Sequence, residues 1–132
     1  MPVSAEFTEY LLDVLDPVGP LVARRMFSGV GLFRHDLMFA YIVNDVVHFK
    51  TDAGSRRDYE AAGSPPFVYE RNGRRRGLSA YYRVPDEVLD NEDELVSWAR
   101  TAIEVAMAAD AAKPPGKRKT RRPDPTLDPE AE

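Results

Sequence analysis

From Leu37 to Val43 the chain reads LMFAYIV, apolar without a break, between His35-Asp36 and Asn44-Asp45. Such a run between two pairs that tolerate positive φ predicts a strand with a tight two-residue turn at each end. The pattern extends both ways: Leu21 to Met26 is predicted as a strand, Gly29-Val-Gly31 opens another that runs through Phe33, and Val46 to Lys50 returns. With Asn44-Asp45 as the turn, Val43 faces Val46, Tyr41 faces His48 and Phe39 faces Lys50. With His35-Asp36 as the turn, Arg34 faces Leu37, Leu32 faces Phe39 and Val30 faces Tyr41. One sheet face then holds Val30, Leu32, Leu37, Phe39, Tyr41, Val43 and Val46, and the other holds Phe33, Met38, Ala40, Ile42, Val47 and Phe49. Neither face is polar, so both need cover. The chain's own helices can cover one. A second copy is the simplest cover for the other, with Leu32, Leu37, Phe39, Tyr41 and Val43 as the expected dimer interface. Helices flanking both faces are the alternative.

Periodicity near 3.6 marks the helices. Ser4 is placed to cap a helix to about Leu15, whose Phe7, Leu11, Val14 and Leu15 form one stripe, and Asp16-Pro-Val-Gly-Pro20 ends it. Thr51-Asp52 followed by Ser55 to Ala62 predicts a short capped helix, with Gly63 as the residue after its C-terminus. Ser64-Pro-Pro66 leads into Phe67–Arg71, Asn72-Gly73 and Arg74–Val84, a hairpin whose register sets Glu70 opposite Arg75 and Arg71 opposite Arg74. Pro85 to Leu89 reads as one helical turn. Asn91 and Glu94 then form a capping-box start for a helix to about Ala112, buried along Leu95, Trp98, Ala99, Ala102, Ile103 and Ala106. The fold class is α+β: an antiparallel sheet of short hairpins with N-terminal, middle and C-terminal helices on one side, paired as a dimer.

Residues 1–112 form the predicted domain. Residues 113–132 hold five prolines, ten charges and one leucine, a composition that predicts a disordered basic tail. The tail has six basic and four acidic residues, leaving 12 basic against 18 acidic in residues 1–112, a net −6 beneath the overall −4. An acidic body argues against a general nucleic-acid binder, so any such contact is local. The chain has no cysteine, which removes disulfides, thiolate nucleophiles and the usual structural zinc sites. Met1 to Ala5 has no basic residue, and Glu6, Glu9 and Asp13 interrupt any apolar leader. No apolar run approaches the roughly 20 residues that span a bilayer. A cytoplasmic protein without a membrane partner is expected.

Arg24-Arg-Met-Phe27, Gly29-Val-Gly-Leu-Phe33, Met38-Phe39 and Phe49-Lys50 occur in that order. Phe67, Tyr69, Tyr81-Tyr82, Val84-Pro-Asp-Glu-Val-Leu89 and a helix containing Trp98 follow. This ordered set, over roughly residues 4–110, resembles the TfoX (Sxy) N-terminal domain family. The resemblance implies a small α+β domain related in fold to dimeric secretion-chaperone-like domains. It also implies a link to transcriptional control of competence-type genes together with the cyclic-AMP receptor protein. Full-length regulators of that type carry a second, helical C-terminal domain; the twenty residues after Ala112 are too few to hold one.

The residues themselves offer no catalytic constellation, cofactor loop or metal set. His35 falls in a turn and His48 on a strand, without a serine or aspartate at triad spacing. Asp86/Glu87 and Glu92 to Glu94 sit at helix N-termini, where the dipole accounts for them. Gly29-Val-Gly31 lacks the third glycine and the following helix of a dinucleotide loop, and marks instead a bend or close backbone approach. Arg71, Arg74, Arg75 and Arg76 surround the Asn72-Gly73 tip. They admit two readings, an arm that grips phosphates alongside Tyr69 and Tyr82, or a charged tip that protects strand edges. Lys117, Arg118, Lys119, Arg121 and Arg122 in the tail could bind polyanions by counterion release. Arg24 and Arg25 alternate on their strand, so at least one is expected to meet an acid across the dimer. The expected function is a non-enzymatic interaction domain in regulation, with a protein partner in the transcription machinery. The alternative is a nucleic-acid-binding accessory that uses the arginine hairpin and tail.

Overall fold

Both two-residue turns form as the sequence predicts. His35, Asp36, Asn44 and Asp45 all hold positive φ, between 54° and 63°, the pairing whose twist suits a right-twisted hairpin. The structure, a computed structural model, describes residues 5–26, 29–71, 74–114 and 116, with the backbone alone for 69–71 and 74–79. The predicted Ser4 cap, the Asn72-Gly73 turn and nearly all of the tail lie outside the described residues.

The elements run α1 (Ala5–Val14), a 3-10 turn (Asp16–Val18), β1 (Val22–Met26), β2 (Gly29–Arg34), β3 (Leu37–Val43), β4 (Val46–Lys50), α2 (Arg56–Ala61), β5 (Pro66–Arg71), β6 (Arg74–Arg83), α3 (Asp86–Leu89) and α4 (Glu92–Ala111). The strands form one antiparallel sheet in the order β1-β2-β3-β4-β6-β5. Side chains from all four helices join one buried cluster with Leu32, Leu37, Phe39, Ala40, Ile42, Val47 and Phe49 of the sheet, so the helices share one face.

The β3–β4 register is the predicted one, with Val43 opposite Val46 and Tyr41 opposite His48. The β2–β3 register is not. It begins as expected with Arg34 opposite Leu37, but a bulge then sets Leu32 opposite Ala40 and Val30 opposite Ile42, instead of Leu32 opposite Phe39 and Val30 opposite Tyr41. A one-residue slip exchanges the faces of everything beyond it. The extra residue is Phe39, and Phe39 and Ala40 both belong to the helix-side cluster, as the two residues of a bulge can when the strand bends. The helix face is therefore Leu32, Leu37, Phe39, Ala40, Ile42, Val47 and Phe49, and Tyr41 lies with Phe33 and His48 on the other.

That correction empties the expected dimer interface. Leu32 and Phe39 are 0% exposed and Tyr41 3%, Leu37 is buried in the helix-side core, and Val43 alone is half-buried. The second face is covered within the protomer. The β5–β6 pairing jumps from Pro66 opposite Tyr82 to Phe67 opposite Leu78, and this irregularity brings the Phe67 ring over the face. Its centroid lies 5.4 Å from Tyr41 and 5.0 Å from His48, both edge-on. The Arg24 guanidinium caps Phe33 at 4.9 Å and the Lys50 ammonium caps Tyr81 at 5.3 Å, the long stems covering apolar surface while the charges reach water. The apolar pattern alone thus does not call for a second copy.

Helix α4 starts as its sequence dictates: the Asn91 side chain accepts a hydrogen bond of 3.1 Å from the Glu94 backbone N–H. Its buried side is Leu95, Ala99, Ala102, Ile103, Val105, Ala106 and Asp110, and Trp98 is half-buried beside Tyr59 with ring centroids 4.7 Å apart. The alanines let α4 lie close against β3 and β4.

Candidate functional site

The polar groups of the second face are tied into the sheet. His48 is buried, and its Nδ1 lies 3.2 Å from the Tyr41 carbonyl oxygen. A carbonyl only accepts, so the neutral ring carries its hydrogen on Nδ1. Burial pushes the His48 pKa below the usual 6.5, and the charge of Arg83, its cross-strand neighbour, adds to this against the opposing hydrogen bond to Tyr41. The Tyr41 hydroxyl crosses β2 and donates to the Met26 carbonyl of β1 at 3.3 Å. The Tyr81 hydroxyl crosses β4 and donates to the Met38 carbonyl at 2.9 Å, and burial raises its pKa well above the ordinary phenol value. These two tyrosines are clamps between strands.

A stability test isolates His48. The unfolded ring titrates near 6.5 and the folded ring below it, so the unfolded chain binds the proton first. The stabilisation is therefore complete above 6.5 and is lost as pH falls toward the folded value, where the loss levels off. Urea unfolding at pH 7.5 and 5.5 is expected to show this drop, and His48→Asn, which keeps a donor near the Tyr41 carbonyl, is expected to shrink it. An equal drop in both proteins would remove His48 as the cause.

The other predicted residues are dispersed. His35 occupies its turn. Asp86 and Glu87 begin α3, where Asp86 meets Arg83 at 3.7 Å, and Glu92, Asp93 and Glu94 begin α4. Among the described residues, no group of three His, Cys, Asp or Glu could hold a metal ion. Backbone register sets Arg71 opposite Arg74 and Glu70 opposite Arg75, as predicted, and Tyr69 opposite Arg76; nothing is described of their side chains. Lys117, Arg118, Lys119, Arg121 and Arg122 also lie outside the described residues. Of Arg24 and Arg25, at least one of which is expected to meet an acid across a dimer, Arg24 pairs with Asp36 of its own chain at 3.9 Å, both side chains exposed.

Sequence reasoning missed the end of the sheet. Among the described residues, strand β1 is outermost and pairs on one side only, with β2. Val22, Ala23, Arg24 and Arg25 are exposed. Arg34 Nε donates to the Val18 carbonyl at 3.1 Å and Arg100 donates to the Pro17 carbonyl at 3.1 Å, so two further arginines converge on the 3-10 turn leading into β1. The available signal was the absence of any acid between Asp16 and Asp36.

Together these features define a small α+β domain that has, among the described residues, one six-stranded antiparallel sheet with four helices on one face and a self-covered second face. Residues 13–106 match the model of the TfoX N-terminal domain, and the chain belongs to that family. A comparison with curated proteins gives no match.

Proposed function

We propose that the chain is a non-enzymatic interaction domain that serves regulation, by binding a protein partner of the transcription machinery. The observation that carries this reading is the open, exposed, arginine-bearing edge at β1 in a sheet whose histidine and tyrosine clamps are held inside. Membership of the TfoX N-terminal domain family supports the regulatory role, as an extension from the resemblance to a competence regulator. A cytoplasmic location goes with it, and no helix among the described residues is long and apolar enough to cross a membrane. The test is affinity capture from cell extract with the full chain, followed by reconstitution with the purified partner. A stoichiometric complex is expected; a reaction turned over by the chain alone would sink the reading. Light scattering at micromolar concentration measures self-association. A dimer mass would place the contact on a surface other than Leu32, Leu37, Phe39 and Tyr41.

The backbone register of the β5–β6 hairpin favours a second reading, a nucleic-acid accessory, because it brings Arg71 and Arg74 to one register position and Arg76 to that of Tyr69. DNA binding by the full chain against salt decides it. Each phosphate contact steepens the logarithmic salt slope by about 0.9 for duplex DNA, so neutralising Arg74, Arg75 and Arg76 flattens the slope if the hairpin binds. Absence of binding at low salt removes this reading.

A further inference from the structure

We infer that β1 is a docking edge for an extended, acidic, proline-free segment of a partner protein, which adds to the sheet as a seventh strand beside Arg24 and Arg25. The inference rests on the reading of the chain as an interaction domain and names the chemistry of its partner. An edge strand turns the N–H and C=O of alternate residues outward. Val22-Ala-Arg-Arg-Met26 contains no proline to interrupt them. Three of its first four residues with side chains beyond Cβ are exposed: Val22, at 51%, Arg24 and Arg25. An incoming peptide satisfies such an edge because it offers donors and acceptors at matching spacing. A DNA backbone offers acceptors alone, and an RNA backbone adds only the 2′-hydroxyl.

Charge sets the class of peptide. Arg24, Arg25, Arg34 and Arg100 gather at this end of the molecule. With these four and the two acids beside them, Asp16 and Asp36, set aside from the 12 basic and 18 acidic residues of 1–112, eight basic residues remain against 16 acids, so this end is basic on an acidic body. The ion pair that Arg24 makes with Asp36 is long and exposed, a pairing that contributes little and that a partner's carboxylate can replace. Register adds detail. Arg24 sits opposite Gly31 and Arg25 opposite Val30, so the two fall on opposite faces, and a strand laid beside them meets both best with acids at two consecutive positions. A second copy fits poorly, because antiparallel pairing of β1 with itself in full overlap sets Arg24 against Arg24. The chain's own acidic terminus, residues 123–132, carries Pro123, Pro125 and Pro129, each without the N–H a ladder needs.

The test selects binders of the full chain from a displayed library of random nine-residue peptides. Proline-free sequences with consecutive Asp or Glu are expected to be enriched. A labelled synthetic copy of the best binder is then followed by fluorescence anisotropy. Methylating its alternate backbone nitrogens in one phase is expected to abolish binding and in the other phase to spare it, a result that requires no change in the protein. Arg24→Glu/Arg25→Glu, checked for folding by circular dichroism, is expected to weaken binding about tenfold, the scale of a few reversed surface ion pairs. Enrichment of basic or proline-rich peptides, or none, overturns the inference. So does equal binding of both methylated peptides, which would mean charge contact without strand addition, or tighter binding of single-stranded oligo-dT at the same residues. If the partner captured by the full chain binds Arg24→Glu/Arg25→Glu equally well, the interaction reading stands and the assignment of the edge falls.

Discussion

Truncating Phe39 to alanine is expected to cost about 3–5 kcal/mol of folding stability, the range for removing a buried aromatic ring. Domains of this size are commonly stable by only about 5–15 kcal/mol, so the variant would stand near its unfolding threshold. The reason lies in the bulge. Phe39 is the extra residue between the Phe33–Met38 and Leu32–Ala40 pairs, and it has no exposed surface. Its ring lies 6.1 Å from that of Phe49 within the cluster shared with the helices. Removing it leaves a cavity bounded by sheet and helix, which cannot close without moving both. Val22→Ala on the exposed edge is expected to change stability by less than about 0.5 kcal/mol. Urea unfolding of the three proteins measures the contrast. Had Phe39 faced a second copy, as strict alternation predicts, its truncation would produce a loss that depends on protein concentration. A concentration-independent loss of the size given is expected.

Local chemistry made the elements legible. Asn44-Asp45 and His35-Asp36 announce turns because few other pairs accept positive φ twice in a row, and Asn91 with Glu94 announces a helix start because the side-chain geometry is local. What strict alternation could not show is the bulge, which is favoured when a bend lets one more large side chain enter the core. Nothing in the letters Met38-Phe-Ala40 separates a bulged from a regular strand. The same limit explains the covering of the second face. Phe67 meets Tyr41 and His48 only because the β5–β6 register jumps after Pro66, a long-range event that propensity does not record. The expectation of a dimer followed from that missing cover. At the candidate edge, the sequence displayed Arg24 and Arg25 but not the strand order that leaves β1 outermost, nor the folding of Arg100 back onto Pro17.

Gly29 and Gly31, two residues apart on β2, are expected to respond differently to alanine. A Cβ on Gly29 would run into the Ile42 carbonyl oxygen and the Tyr41 phenol, with Tyr41 Cζ at 2.8 Å. The carbonyl belongs to the sheet backbone. The phenol is the clamp that crosses β2 to reach the Met26 carbonyl. Neither can retreat without breaking a strand contact, so Gly29→Ala is expected to cost about 1–3 kcal/mol, the usual range for overpacking, and to loosen β1 from the sheet. A Cβ on Gly31 meets Met38 Sδ at 2.7 Å and Met26 Sδ at 2.9 Å. Both sulfurs are ends of flexible, half-buried side chains that can swing aside, and the buried Phe33 ring, with Cε1 at 3.0 Å, needs to give by only a few tenths of an ångström. Alanine also restricts the unfolded chain, a gain of about 0.4–1 kcal/mol where the native backbone suits it. Gly31→Ala is therefore expected to fall within about 1 kcal/mol of the parent. Urea unfolding orders the two variants, and amide hydrogen exchange of Ala23 to Met26 reports whether β1 has come loose. Equal costs at both positions would mean that the phenol does not lie across Gly29. The clamp between β3 and β1, and with it the rigidity of the edge offered to a partner, would then have to be withdrawn.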